Sequence, residues 1–95
     1  KNLISFHKNK DQTLIFESNK KHSNHPISYQ EIKEKYLKEV LFFELRDGCI
    51  ININHIESIT FIHNNYYHSK ISDGRTIEIT ANERTRLLKF LAQKT

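Results

Sequence analysis

Six histidines in a chain of 95 residues are the first side chains to raise a question of chemistry, and the pair His22 and His25 has a spacing that can chelate a metal ion. The set is incomplete. A structural zinc site takes four nitrogen or sulfur ligands, and Cys49, the one thiol, lies in an apolar segment remote from the pair in sequence. We therefore read no metal and no cofactor. Catalysis finds equally little, because a nucleophile needs a base and an orienting partner and no Ser/His/Asp arrangement or helical His-Glu pair is present. The two glycines, Gly48 and Gly74, both sit in hairpin-turn signals, which leaves nowhere for a glycine-rich phosphate cradle. The chain reads as a non-enzyme with no small-molecule substrate.

Basic and polar groups are better placed to meet an anion. Lys20, Lys21 and His22 fall together in a polar stretch, where they suit contacts to phosphate or base edges; the alternative is an ordinary solvated loop. A second cluster is Asn82, Arg84 and Arg86, at the start of a helical pattern whose first N–H groups could also take a phosphate. There the alternative is a solvated helix face. Arg46 is a phosphate or guanine contact under the same view, and a solvated hairpin residue otherwise. His55, His63 and His68 lie in or beside strands and take no role.

The formal charge is +4, unevenly spread. Lys1 to Ile27 holds five basic against two acidic residues, Ala81 to Thr95 four against one, and Leu41 to Thr80 three against five. Positive ends around a mildly negative centre are what an anion-binding face framed by the termini would require, although solubility alone also accounts for basic termini. A lone cysteine excludes an internal disulfide and fits a reducing compartment, with Cys49 a buried, inert thiol. No apolar run approaches a membrane span and no signal-peptide pattern opens the chain, so we expect a soluble, cytoplasmic protein. With no methionine at its start, the sequence is expected to be a processed piece of a longer one.

These side chains need elements to hold them, and the punctuation of the chain is clear. Ser28-Tyr29-Gln30-Glu31 is a capping box that starts a helix running to roughly Val40, with Ile27 and Ile32 spaced as a hydrophobic staple and Ile32, Tyr36 and Leu37 as its apolar stripe. Thr80-Ala81-Asn82-Glu83 is a second capping box, launching a helix with Leu87, Leu88 and Leu91 as its buried stripe and Arg84 and Arg86 turned away from the core. Leu3 to Phe6 and Thr13 to Ser18 form a hairpin, and Asn19 to Pro26 an exposed loop. Five strands then follow: Leu41 to Arg46, Cys49 to Ile53, His55 to His63, Tyr66 to Ser72 and Arg75 to Ile79. Asp47-Gly48 is a two-residue hairpin signal, and Asn64-Asn65 and Asp73-Gly74 are I′-type corners. The fold class is mostly β with two short helices (α+β), built from antiparallel hairpins in a meander or sandwich, and 95 residues suffice for a single domain.

The run from Phe42 to Ile59, FFELRDGCIININHIESI, together with the capped helix before it, resembles the LytTR family of bacterial DNA-binding domains. Ser28 matches the family's helix-start serine, Phe42 and Phe43 its aromatics, Ile50 and Ile51 its β-branched pair, Asn52 its asparagine, and Ile56 and Ile59 its paired isoleucines. Phe16-Glu17-Ser18 followed by His22 is similar to the accessory-gene-regulator branch. Three departures stand out. The family's His-x-Ser is Arg46-Asp47-Gly48 here, the span from Ser18 to Ser28 is short, and the family's Ser-x-Arg gives way to Thr80-Ala81-Asn82 followed by Arg84 and Arg86.

The resemblance implies a transcriptional regulator domain that reads double-stranded promoter DNA through loops, binds as a pair on repeated sites, and commonly follows a receiver or membrane sensor. It makes Asn52 a candidate base reader, since a carboxamide can pair bidentately with adenine; the structural alternative is an asparagine capping the turn before His55. Loops carrying His22, Asn52 and Asn82 to Arg86 would enter successive grooves, with Lys8, Lys10, Lys20, Lys21 and Lys89 on phosphates. An alternative of another class is a small protein-interaction or adaptor module of β-meander plus helix type, using Phe61, Tyr66 and Tyr67 or a strand edge.

Overall fold

Ser28 accepts a hydrogen bond from the backbone N–H of Glu31 at 3.2 Å and so begins helix α1, Tyr29–Tyr36. In this computed structural model, which describes residues 3–18 and 21–93, the chain forms two compact units, Lys1–Ile53 and Asn54–Thr95. The class is the one the sequence predicts: strands and two helices, with every strand pairing antiparallel.

The first unit is a five-stranded sheet. Its strands are β1 (Leu3–Asn9), β2 (Gln12–Glu17), β3 (His22–His25), β4 (Phe42–Arg46) and β5 (Cys49–Asn52), and their order across the sheet is β3-β2-β1-β5-β4. Alternation decides the faces. Phe6, Ile15 and Ile50 point to the side covered by α1, where they form a core with Tyr29, Ile32 and Phe42. Phe6, with no exposed surface, stacks on Tyr36 at 4.7 Å and meets Phe42 at 5.5 Å. Truncating such an aromatic to alanine costs about 3–5 kcal/mol. Tyr29 is fixed further by donating its hydroxyl to Glu44 at 2.8 Å, and Lys33 reaches the same carboxylate at 3.4 Å.

The second unit holds β6 (Ile56–His63), β7 (Tyr66–Ile71), β8 (Thr76–Thr80) and α2 (Ala81–Ala92), preceded by a 3-10 turn over Ile53–His55. Its sheet runs in order β6-β7-β8, and Ile71, Ile79 and Leu87 are its deeply buried residues. Among the described residues no helix is long and apolar enough to cross a membrane.

Several expectations about the elements change. The five strands after Leu41 do not make one meander: β4 and β5 join the N-terminal hairpin through the β1–β5 pairing, Phe6 opposite Ile50, because Ile50 and Phe6 need the same core. The expected loop before Pro26 contains β3, a polar edge strand whose His22 lies opposite Phe16. Helix α1 stops at Tyr36 because the chain must return to the sheet, where the carbonyl of Leu41 accepts from Ile53 at 2.9 Å. The corners are not I′ turns, which need two positive φ values; each uses one left-handed residue, Asn64 at 42° and Gly74 at 94°. In α2, Leu88 is 41% exposed, so Leu87 carries the helix's deep burial.

Candidate nucleic-acid interface

Paired residues on neighbouring strands project to the same face, which allows the exposed cations of the first unit to be placed by register. One row across the sheet runs Arg46, Cys49, His7, Leu14, Asn24, and a second runs Phe43, Ile51, Ser5, Phe16, His22. Ser5 and His7 share a face of β1, so His22 lies on the side of the sheet opposite α1, on one edge strand; Arg46, on the other edge strand, follows a register shift that begins after Glu44. Four strand spacings separate them, about 19 Å.

At the β3 edge, Lys21 and His22 are exposed, and the imidazole of His22 stacks on Phe16 at 5.3 Å with 28° between the planes. Phe16 in turn meets His7 edge-on at 5.3 Å, and His7 is within hydrogen-bonding reach of Ser5 Oγ at 2.9 Å. The turn is closed by Glu17 N–H donating to the carbonyl of Lys21 at 2.9 Å. Lys20 lies outside the described residues. At the other edge Arg46 is exposed, and Lys8 and Lys10 project near the same end of the sheet. Lys8 N–H donates to the Gly48 carbonyl at 2.8 Å, and a Cβ on Gly48 would stand 3.3 Å from Lys8 Cβ. With φ at 91° as well, glycine is what lets the β4–β5 turn lie against Lys8 of β1.

Asn52 is not placed to read a base. It is 7% exposed, and its Nδ2 donates to the Leu3 carbonyl at 2.9 Å, so its carboxamide ties β5 to the start of β1. Beyond the turn that follows Asn52, His55 Nδ1 lies 2.6 Å from Ser72 Oγ. A polar side chain at the end of an apolar strand is visible in the sequence, but its partner lies 49 positions away.

In the second unit, the start of α2 is satisfied from within. Thr80 N–H donates to Glu83 Oε1 at 2.9 Å, Glu83 N–H donates to Thr80 Oγ1 at 3.2 Å, and Ala81 N–H donates to the Asn65 carbonyl at 2.8 Å. The expected phosphate-binding N–H cluster is therefore largely engaged. Asn82 and Arg86 are exposed and one turn apart, hence neighbours on the helix surface. Arg84 departs from its expected place away from the core: it is half-buried, with its guanidinium 4.7 Å above the Tyr67 ring. No local sequence signal marks Tyr67 as its partner, because only the β7–α2 packing brings them together. Among the described residues no group of three or more His, Cys, Asp or Glu is gathered for a metal.

No protein-family model matches the sequence, and no curated protein matches it. Among solved structures, the chain superposes on the LytTr DNA-binding domain of a Bacillus cereus protein with a TM-score of 0.75, over 95% of this chain and 81% of that one, at 19% identity. The chain has the LytTR fold. The LytTR arrangement thus sets Lys21 and His22 on one edge of the five-stranded sheet and Arg46 on the other, with Lys8 on the central strand β1, Lys10 in the β1–β2 turn, and Asn82 with Arg86 exposed on α2. Within this LytTR fold, Asn52 belongs to the framework.

Proposed function

We propose that this chain is a double-stranded-DNA-binding domain of a transcriptional regulator, and that it reads its promoter with loops and strand edges instead of a recognition helix. The observation that carries the reading is the LytTR fold itself, matched over 95% of the chain to a domain described as DNA-binding. Its two units act as one binding domain, and it performs no catalysis. The exposed cations support this. Lys8, Lys10, Lys21 and Arg46 supply phosphate contacts from the first unit, and Arg86 and Lys89 from the second. Groups with hydrogen-bonding edges, His22 and Asn82, stand beside them for the bases. Arg84, with its guanidinium 4.7 Å from the centre of the Tyr67 ring, is already partly ordered, so less side-chain entropy is lost when it meets a phosphate or guanine.

The test is fluorescence anisotropy with random and promoter-derived duplexes at two salt concentrations. The expected result is binding that weakens steeply with salt and is tighter for the promoter sequence. Absence of binding at low salt overturns the proposal.

A further inference from the structure

Helix α1 leaves part of the sheet face beneath it open. Between the helix and strands β1, β2 and β3 lies a cleft of about 410 Å³, a size suited to a small molecule. Its floor is apolar, with Leu3 and Ile15 from the sheet and Ile32 and Tyr36 from the helix. Ile32 and Tyr36 stand one helical turn apart and so share a face of α1, and Tyr36 is held there by stacking on Phe6 at 4.7 Å. Ile27, an exposed residue, lines the cleft too. Water here meets apolar surface that the body of a ligand would cover.

The charges around the cleft do not cancel. Glu31 and Lys35 flank it from the helix, one turn apart, and so offset each other. The Lys35 ammonium also lies 5.3 Å from the centre of the Tyr36 ring. His25, at the β3 end, has a local partner, with a ring nitrogen 3.0 Å from Ser23 Oγ. Among the lining residues, Glu17 is the carboxylate left without an offsetting cation. It is half-buried, pairs with Leu3 across β1 and β2, and shares with Ile15 the face of β2 that looks toward α1. A half-buried carboxylate beside apolar surface draws a cation more strongly than one in open water, because screening is weaker there. It repels a ligand carboxylate, and a neutral ligand gives it no counter-charge. His22 lies on the opposite face of the same sheet, so an occupant of the cleft does not cover it.

We infer that this cleft is a ligand site for a small organic cation, a primary ammonium group on an aromatic or branched apolar body, with the ammonium donating to Glu17 and the body lying on Ile15, Ile32 and Tyr36. The inference is independent of DNA binding and is tested without DNA. The 95-residue chain is titrated with three probes that share one body: phenethylamine, phenethyl alcohol and hydrocinnamate. Calorimetry gives the affinities, and amide NMR shifts give the location. The amine is expected to bind saturably, with shifts centred on Ile15, Ile27 and Ile32, about ten-fold more tightly than the alcohol and by a wider margin than the carboxylate. Glu17→Gln should remove the amine's advantage and leave the alcohol's affinity as it was, with circular dichroism as the check on folding. Equal affinity for all three probes, the behaviour of a plain apolar groove, overturns the inference. So does an amine that does not saturate, shifts centred elsewhere, or an advantage that survives in the folded Glu17→Gln variant.

Discussion

The carboxamide of Asn52 donates to the carbonyl of Leu3 at 2.9 Å, joining the end of one buried strand to the start of another. A side chain committed in this way serves the sheet. Asn52→Ala removes the donor and leaves the half-buried Leu3 carbonyl without it, which costs about 1–3 kcal/mol, or roughly 4–8 °C in Tm per kcal/mol for a chain of this size. Urea and thermal unfolding should show that loss. The DNA affinity of the folded variant, measured well below its Tm, should match wild type; a selective loss of binding with unchanged Tm would return Asn52 to the interface.

Phosphate contacts reveal themselves in salt dependence. If Lys21, Arg46 and Arg86 each neutralise one phosphate, replacing any of them with glutamine lowers the slope of log K against log salt by about 0.9, with little change in Tm because all three are exposed. Lys33→Gln is the internal control. Lys33 is engaged with Glu44 on the α1 side, and its loss should leave the slope as it was.

Tyr29 ties stability to alkaline pH. Its burial first, and then its hydrogen bond to Glu44 and that carboxylate's charge, push its hydroxyl well above the ordinary tyrosine range, against the opposing effect of the Gly48 backbone N–H. The folded chain thus keeps a proton that the unfolded chain releases near pH 10. Its contribution is complete below that pH and is lost as pH rises beyond it, at up to about 1.4 kcal/mol per pH unit. Unfolding free energies measured between pH 8 and pH 11 by urea titration should fall more steeply for wild type than for Tyr29→Phe, which has no proton to release; identical slopes would show that Tyr29 titrates alike in both states.

Features held within a few residues are legible in the sequence alone. Ser28 and Thr80 each close a hydrogen bond three positions along, so both helix starts follow from local sequence, as do the turns at Gly48 and Gly74, where φ must be positive. The short apolar runs of β1, β2, β4 and β5 mark them as strands for the same reason: their composition is local. The exposed candidates Lys21, His22, Asn82 and Arg86 are legible too, because a charged or strongly polar side chain in a polar run stays in water.

What the tertiary structure alone decided is everything that depends on a partner far along the chain. Strand β3 has no apolar pattern and exists because β2 offers an edge to pair with. The two sheets divide after β5 because Ile50 shares a core with Phe6, 44 positions earlier. Asn52 became a framework residue through Leu3, and Arg84 a half-buried cation over the Tyr67 ring. In each case the side chain had two chemically adequate uses, and the deciding energy came from a contact that local sequence does not encode.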